Sequence, residues 1–130
     1  ALPIYLEHAV LRYAQLAGAN LMYANLTKAD LSYAYLKGAN LAKTDLKDAD
    51  LRFTNLEDVE LEDANLENAC LCEANLKNTK LTLEQLSKTF SLYSVKYLDP
   101  ELEEQIREQY PHLLEPNKCN DKFKTEGFLK

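Results

Sequence analysis

The side chains that could do chemistry are few. There are three cysteines (Cys70, Cys72 and Cys119) and two histidines (His8 and His112), with a larger supply of carboxylates. Cys70 and Cys72 flank a single residue, Leu71. A bridge between them would close a very tight and strained loop. A bridge from Cys119 to either Cys70 or Cys72 would instead tie the tail to the body of the chain. Three free thiols are the alternative, and a bridge would point to an oxidising compartment. No fourth soft ligand stands at a recognisable spacing, and neither histidine is near the cysteines in sequence, so we expect no metal and no cofactor. His8 and His112 lack a clustered Ser, Cys or Asp partner, and no Gly-rich phosphate loop is present. Acid pairs such as Asp58 and Glu60 suit a solvated surface better than a reaction. These residues give no catalytic assignment, and the chain is not expected to be an enzyme.

The element that would have to position any such group is the repeat. Leu recurs at every fifth position from Leu6 to Leu86, seventeen times in succession. Two residues before each Leu, over positions 9–79, stands Ala at eleven of fifteen sites, with Thr44, Thr54, Thr79 and Val59 at the others. The residue immediately before Leu is most often Asn or Asp. A step of five advances an α-helix by about 140° net, which would scatter the leucines around every side. On a flat strand an odd period sends alternate leucines to opposite faces. The chain must therefore turn regularly, so that every Leu points at one axis and Ala or Thr fills the remaining inward space. That is a solenoid.

Over residues 9–83 the runs of Ala-(Asp/Asn)-Leu-x-x resemble the pentapeptide-repeat family. The resemblance implies an all-β solenoid, a right-handed quadrilateral β-helix of twenty residues per coil and about four coils. It also implies that most members have no assigned activity and that they are common in cyanobacteria. The central position is Leu throughout, whereas relatives that bind DNA gyrase mix Phe with Leu there. Written in rows of twenty, the sequence aligns Gly18 with Gly38, and Asn25 with Asp45 and Asn65. Tyr13, Tyr33 and Phe53 form a third column, with Arg12 and Arg52 beside it. Like residues would then stack about 4.8 Å apart on successive coils.

The net charge of −6 disfavours a nucleic-acid partner, which would need a basic stripe. No apolar run approaches the roughly 20 residues of a membrane span. Charge divides along the rod: between residues 54 and 73 there are seven acids and no Lys or Arg. Such a face keeps solenoids apart in solution or receives a basic partner. Because the resemblance points to a family common in cyanobacteria, cytoplasm, periplasm and thylakoid lumen all stay open.

Residues 1–8 read as an irregular lead-in over the first coil, thin enough that two chains could meet there as a weak dimer. After Leu81, Thr82 and Gln85 form a capping box for a short helix over 83–89. Residues 90–98 suit a strand or a packed connector. Asp99-Pro100 opens a second helix over 100–110, whose Leu102, Ile106 and Tyr110 make one apolar stripe. We expect residues 84–114 to be a helical cap across the open end of the solenoid, the competing role being dimerisation. Residues 115–130 read as a polar tail anchored by Cys119, Phe123 and Phe128. The function expected is a structural or protein-interaction module with an unknown protein partner. Its candidate surface is Tyr13, Tyr33, Phe53, Arg12 and Arg52, since Tyr and Arg dominate interface hot spots. The alternative, suggested by the resemblance and the acidic run, is a DNA-mimicking modulator of a type II topoisomerase.

Overall fold

The computed structural model describes residues 4–116 and 119–125. Every fifth residue from Tyr5 to Asn55 sits at a corner-to-corner midpoint and pairs in parallel with the residue twenty positions on, as in Tyr5 with Asn25 and Val10 with Asp30. A pairing every five residues with a twenty-residue rise gives four sides per coil. Each side is too short for an extended strand, so the ladder consists of single-residue bridges. The all-β expectation is corrected in that detail: two of every five residues are spent on the corner.

The corners explain the repeat. After each Leu the backbone turns, and the amide of the inward Ala donates to the carbonyl of that Leu, as from Ala29 to Leu26 at 3.0 Å. The residue before each such Ala, or the Thr or Val that replaces it, has a positive φ, for example 61° at Tyr13, 59° at Lys28 and 60° at Phe53. This is the third position of a type II turn, which favours Gly. Only Gly18 and Gly38 meet that preference, at φ 70° and 74°; elsewhere the ladder holds side-chain-bearing residues in the left-handed region. The Asn or Asp before Leu has a separate job. Its Oδ1 accepts from the amide two residues on, as from Thr27 to Asn25 at 3.1 Å and from Lys77 to Asn75 at 3.0 Å. That amide faces outward at the turn and would otherwise lack a partner.

Inside the tube, Leu26, Leu31, Leu36, Leu41, Leu46 and Leu56 are fully buried. Thr44 and Thr54 replace Ala without cost to polarity, because each hydroxyl donates to the carbonyl of the preceding Leu at 2.8 Å. Burying a Leu stabilises by about 2 kcal/mol before chain entropy is counted, and the column supplies most of the core. Leu6, Leu11 and Leu16 in the first coil are only half-buried, since nothing among the described residues stacks beyond them.

The structure moves both expected boundaries of the solenoid. Residues 4–8 are not a lead-in: Tyr5 pairs with Asn25 and His8 occupies a turn corner at φ 61°. At the other end the coil is interrupted rather than finished. Helix α1 (Leu83–Ser87) begins with the expected capping box of Thr82 and Gln85. It replaces one corner and shifts the register, so that Cys70 pairs with Ser91 and Asn75 with Lys96, twenty-one residues on. Residues 90–97 thus form two sides of a fifth coil. On the other two sides the ladder opens, apart from the Asn68 amide, which still donates to the Lys88 carbonyl at 2.7 Å. Among the described residues, the amides of Leu61, Asp63 and Leu66 find no backbone acceptor from the chain above, although every Leu amide from Leu6 to Leu56 does. Gln85 partly fills this seam, its Nε2 donating to the carbonyls of Leu61 at 2.8 Å and Ala64 at 3.2 Å.

Helix α2 (Pro100–Gln109) is capped by Asp99, which accepts from the Leu102 amide at 3.1 Å. Its Ile106 is fully buried in the same cluster as the solenoid leucines, so α2 packs onto the end of the leucine column. A 3-10 segment (Pro111–Leu114) completes it, with the Leu113 carbonyl accepting from Leu92 at 2.8 Å in place of a further coil. Within the tail, Cys119–Thr125 forms a third helix, α3, which the sequence did not suggest. Cys119 and Phe123 anchor it and are fully buried; Phe128 lies outside the described residues.

Candidate functional site

The side that carries residues 9–13, 29–33, 49–53 and 69–73 gathers the side chains with chemical potential. At its corner Tyr13, Tyr33 and Phe53 stack as a ladder, with ring centroids 4.9 and 4.7 Å apart and planes 20° and 5° from parallel. The coil spacing imposes this contact, because the three residues occupy the same turn position one coil apart. They remain 60%, 41% and 39% exposed. The Arg12 guanidinium lies 5.7 Å from the Tyr13 ring centre and 5.8 Å from that of Tyr33. The three exposed rings and the half-buried Arg12 therefore form one continuous surface.

Arg52 does not belong to it. Only 5% of Arg52 is exposed. Its Nε and one terminal nitrogen donate to the two carboxylate oxygens of Asp50 at 2.9 and 2.8 Å. The other terminal nitrogen donates to Asn120 Oδ1 at 2.6 Å, and the guanidinium lies 4.8 Å over the Phe123 ring. Helix α3 has covered it. Burial is the largest single influence and opposes the charge, but the hydrogen bonds and charge attraction of Asp50, with smaller contributions from Cys119 and Cys70, together hold the guanidinium pKa above its ordinary value. Helix α3 is held also by Lys122, which donates to the Asn68 carbonyl at 3.0 Å and lies 3.7 Å from Asp48.

Beneath α3 the three cysteines meet. Cys70, Cys72 and Cys119 are all buried and form a cluster with Phe123, flanked by Phe90 and Tyr93. The Cys72 and Cys119 sulfurs are 2.8 Å apart, and Cys72 Sγ lies 3.2 Å from the Ser91 hydroxyl. The hydrogen bond with Cys70, together with burial, pushes the Cys119 thiol up to about 12. The contact with Cys119 and burial push Cys72 up as well. Cys70 and Cys72 do leave the coil on one side, as the repeat requires, yet α3 keeps both from solvent.

The remaining candidates stay apart. His8 occupies a turn of the first coil and His112 the 3-10 segment at the opposite end. An open recess of about 1020 Å³ lies beside the seam, where Asp58, Glu60, Glu62, Asp63, Lys80 and Glu84 line it. Its acids point outward into solvent. Among the described residues no group of three or more His, Cys, Asp or Glu is arranged to hold a metal ion. No helix among them is long and apolar enough to cross a membrane.

A tube of parallel five-residue sides filled by leucine defines a repeat protein of the β-solenoid class. The family pattern described as pentapeptide repeats (8 copies) matches residues 4–36, 24–63 and 60–82, and the chain belongs to that family. Its match begins at residue 4, in agreement with the first coil seen here. Among solved structures, alr5209, a pentapeptide repeat protein from Nostoc Pcc 7120, is 43% identical over 59% of this chain and 64% of its own, with a TM-score of 0.58. HetL, from the cyanobacterium Nostoc sp. strain PCC 7120 and involved in heterocyst differentiation regulation, is 30% identical over 71% of this chain and 50% of its own, with a TM-score of 0.52. A thylakoid-lumen pentapeptide repeat protein from Arabidopsis thaliana shares the fold at 23% identity, covering 81% and 72% of the two chains, with a TM-score of 0.51. The chain thus spans less than two thirds of the length of either Nostoc protein. No curated protein is significantly similar to it. The family implies a right-handed β-helix, in keeping with the four-sided coil.

Proposed function

We propose that the chain is a non-enzymatic protein-interaction module that presents the Tyr13–Tyr33–Phe53 ladder, with Arg12, to a protein partner. The observation that carries this is the stacked column itself. Stacking fixes three rings in one plane-parallel array before any partner arrives, so little side-chain entropy remains to be lost on binding. The Arg12 guanidinium is likewise held against two rings, and Tyr and Arg are the residues that dominate interface energies. The leucine-filled interior is consistent with a role carried on the outside. Because the acidic recess and the aromatic ladder lie on different sides, a partner on the ladder needs no basic character. Nothing in the comparisons supports the topoisomerase alternative, and the ladder does not call for it.

Capture from a cell lysate with immobilised wild-type chain, against a Tyr13→Ser/Tyr33→Ser variant of matched circular dichroism, tests the reading. A partner retained by the wild type and lost by the variant is expected. A variant that keeps every partner, or a wild type that captures nothing reproducibly, removes the proposal.

A further inference from the structure

The three thiols are the one set of reactive groups that the interaction surface leaves unused. We propose that Cys72 and Cys119 form an intramolecular disulfide that fastens α3 to the fourth coil, with Cys70 remaining a thiol. Several independent contacts seat α3 without any covalent bond. Asn120 accepts from Arg52, Phe123 lies under the Arg52 guanidinium, and Lys122 reaches the Asn68 carbonyl. These contacts already bring the Cys72 and Cys119 sulfurs to 2.8 Å. Bond formation therefore asks for a sub-ångström approach and no rearrangement of the coil. Cys119 also hydrogen-bonds with Cys70, which makes Cys70 the competing partner; the assignment to Cys72 rests on its sulfur standing 2.8 Å from that of Cys119. Cys70 and Cys72 flank the inward Leu71 and would pair only by closing a very tight loop. The cross-link spans 47 positions of sequence, so it removes a long loop's freedom from the unfolded chain.

The oxidant is a low-molecular-weight disulfide of the glutathione class. A Cys119 or Cys72 thiolate attacks one of its sulfurs and releases one thiol, giving a mixed disulfide. The neighbouring cysteine, losing its proton to water, attacks the protein sulfur of that mixed disulfide and releases the second thiol. Two cysteine thiols and one small disulfide thus become one protein disulfide and two small thiols. Both protein thiols are buried and hold their protons tightly, so the first attack waits for α3 to lift. Once formed, the bond keeps α3 seated and keeps Arg52 and Asp50 covered. Reduced, the helix is held by its non-covalent contacts alone.

The full chain, equilibrated in oxidised glutathione and in parallel in dithiothreitol, is alkylated with iodoacetamide and mapped as peptides without reduction. The expected oxidised product is a linked Cys72–Cys119 peptide pair with Cys70 alkylated. A Cys70–Cys119 link, a stable glutathione adduct, or three alkylated cysteines as the main product overturns the assignment. Tryptic cleavage after Lys122 reads the fastening separately. It should slow about tenfold or more on oxidation, and Cys119→Ser should abolish that difference while Cys70→Ser preserves it. Equal cleavage rates in the oxidised and reduced chain would show that the bond does not fasten the helix. Neither readout involves a partner, so failure here leaves the interaction proposal standing and the reverse also holds.

Discussion

Removing the Arg52 side chain should cost far more than a surface arginine would. Asp50 is fully inside, and Arg52 nearly so. The guanidinium meets both carboxylate oxygens, at 2.9 and 2.8 Å. In Arg52→Met the hydrocarbon stem is kept and the cation lost, leaving a buried carboxylate that keeps the turn amide of residue 52 as a donor but has lost both charged ones. Breaking a buried pair in this way costs about 3–5 kcal/mol. Total stability for a domain of this size is about 5–15 kcal/mol, so the variant loses a large share of it. At about 1.5 kcal/mol per molar urea, the midpoint falls by roughly 2–3 M. Asp50→Asn keeps the turn-capping oxygen that Asn25 and Asn75 supply elsewhere, but strands the cation. The double variant buries no charge and should cost no more than about 2 kcal/mol, so the two substitutions couple strongly. Urea unfolding of the four proteins at pH 7 gives the cycle. Single costs that simply add, or a loss under about 1 kcal/mol for Arg52→Met, would mean that α3 does not cover this pair and that the reasoning is wrong.

Two other outcomes follow from the same geometry. Glu60 stands where most repeats carry Asn or Asp, and the Glu62 amide makes no hydrogen bond among the described residues. Glu60→Asn should supply the missing turn cap and raise stability by about 0.5–1 kcal/mol, read as a higher urea midpoint; an unchanged or lower midpoint contradicts the role given to the Asx residue. In the reduced protein, the folded state holds the Cys72 and Cys119 protons above the ordinary thiol value of roughly 8.5, with Cys119 at about 12. A raised folded pKa gives stability that is complete below the unfolded value and is lost as pH climbs through about 9 toward 12. Urea midpoints from pH 7 to 10.5 in reductant should therefore fall more steeply for the wild type than for Cys72→Ser/Cys119→Ser, and equal slopes would refute the assignment.

Most of the fold could be read from residue spacing because each five-residue unit encodes its own corner. The inward Leu and Ala, the column of Tyr13, Tyr33 and Phe53, and the caps of α1 and α2 are all local signals, and all appear in the structure. The parts that could not be read depend on contacts distant in sequence. Arg52 looks like a surface residue until Asn120, 68 positions away, is placed beside it. Helix α3 carries no repeating apolar stripe: among its described side chains Cys119 and Phe123 are the fully buried ones. The shift from twenty to twenty-one residues at Ser91 arises because α1 takes the place of a corner, and no single residue announces it. The reason for Asn and Asp before Leu became clear only when their oxygens were seen on the turn amides.

The seam at Leu61, Asp63 and Leu66 has a mechanical consequence. Above it the tube is joined on two adjacent walls and parted on the other two except at Asn68, whose amide still reaches Lys88, like a carton glued along half its rim and one corner. Fluctuations there should swing the upper flap open from the acidic flank while the opposite flank, beneath α3, acts as the fold line. Amides at those three leucine and aspartate positions would then swap deuterium well before their counterparts one layer below, and a sulfur staple under α3 would reinforce the crease without closing the gap.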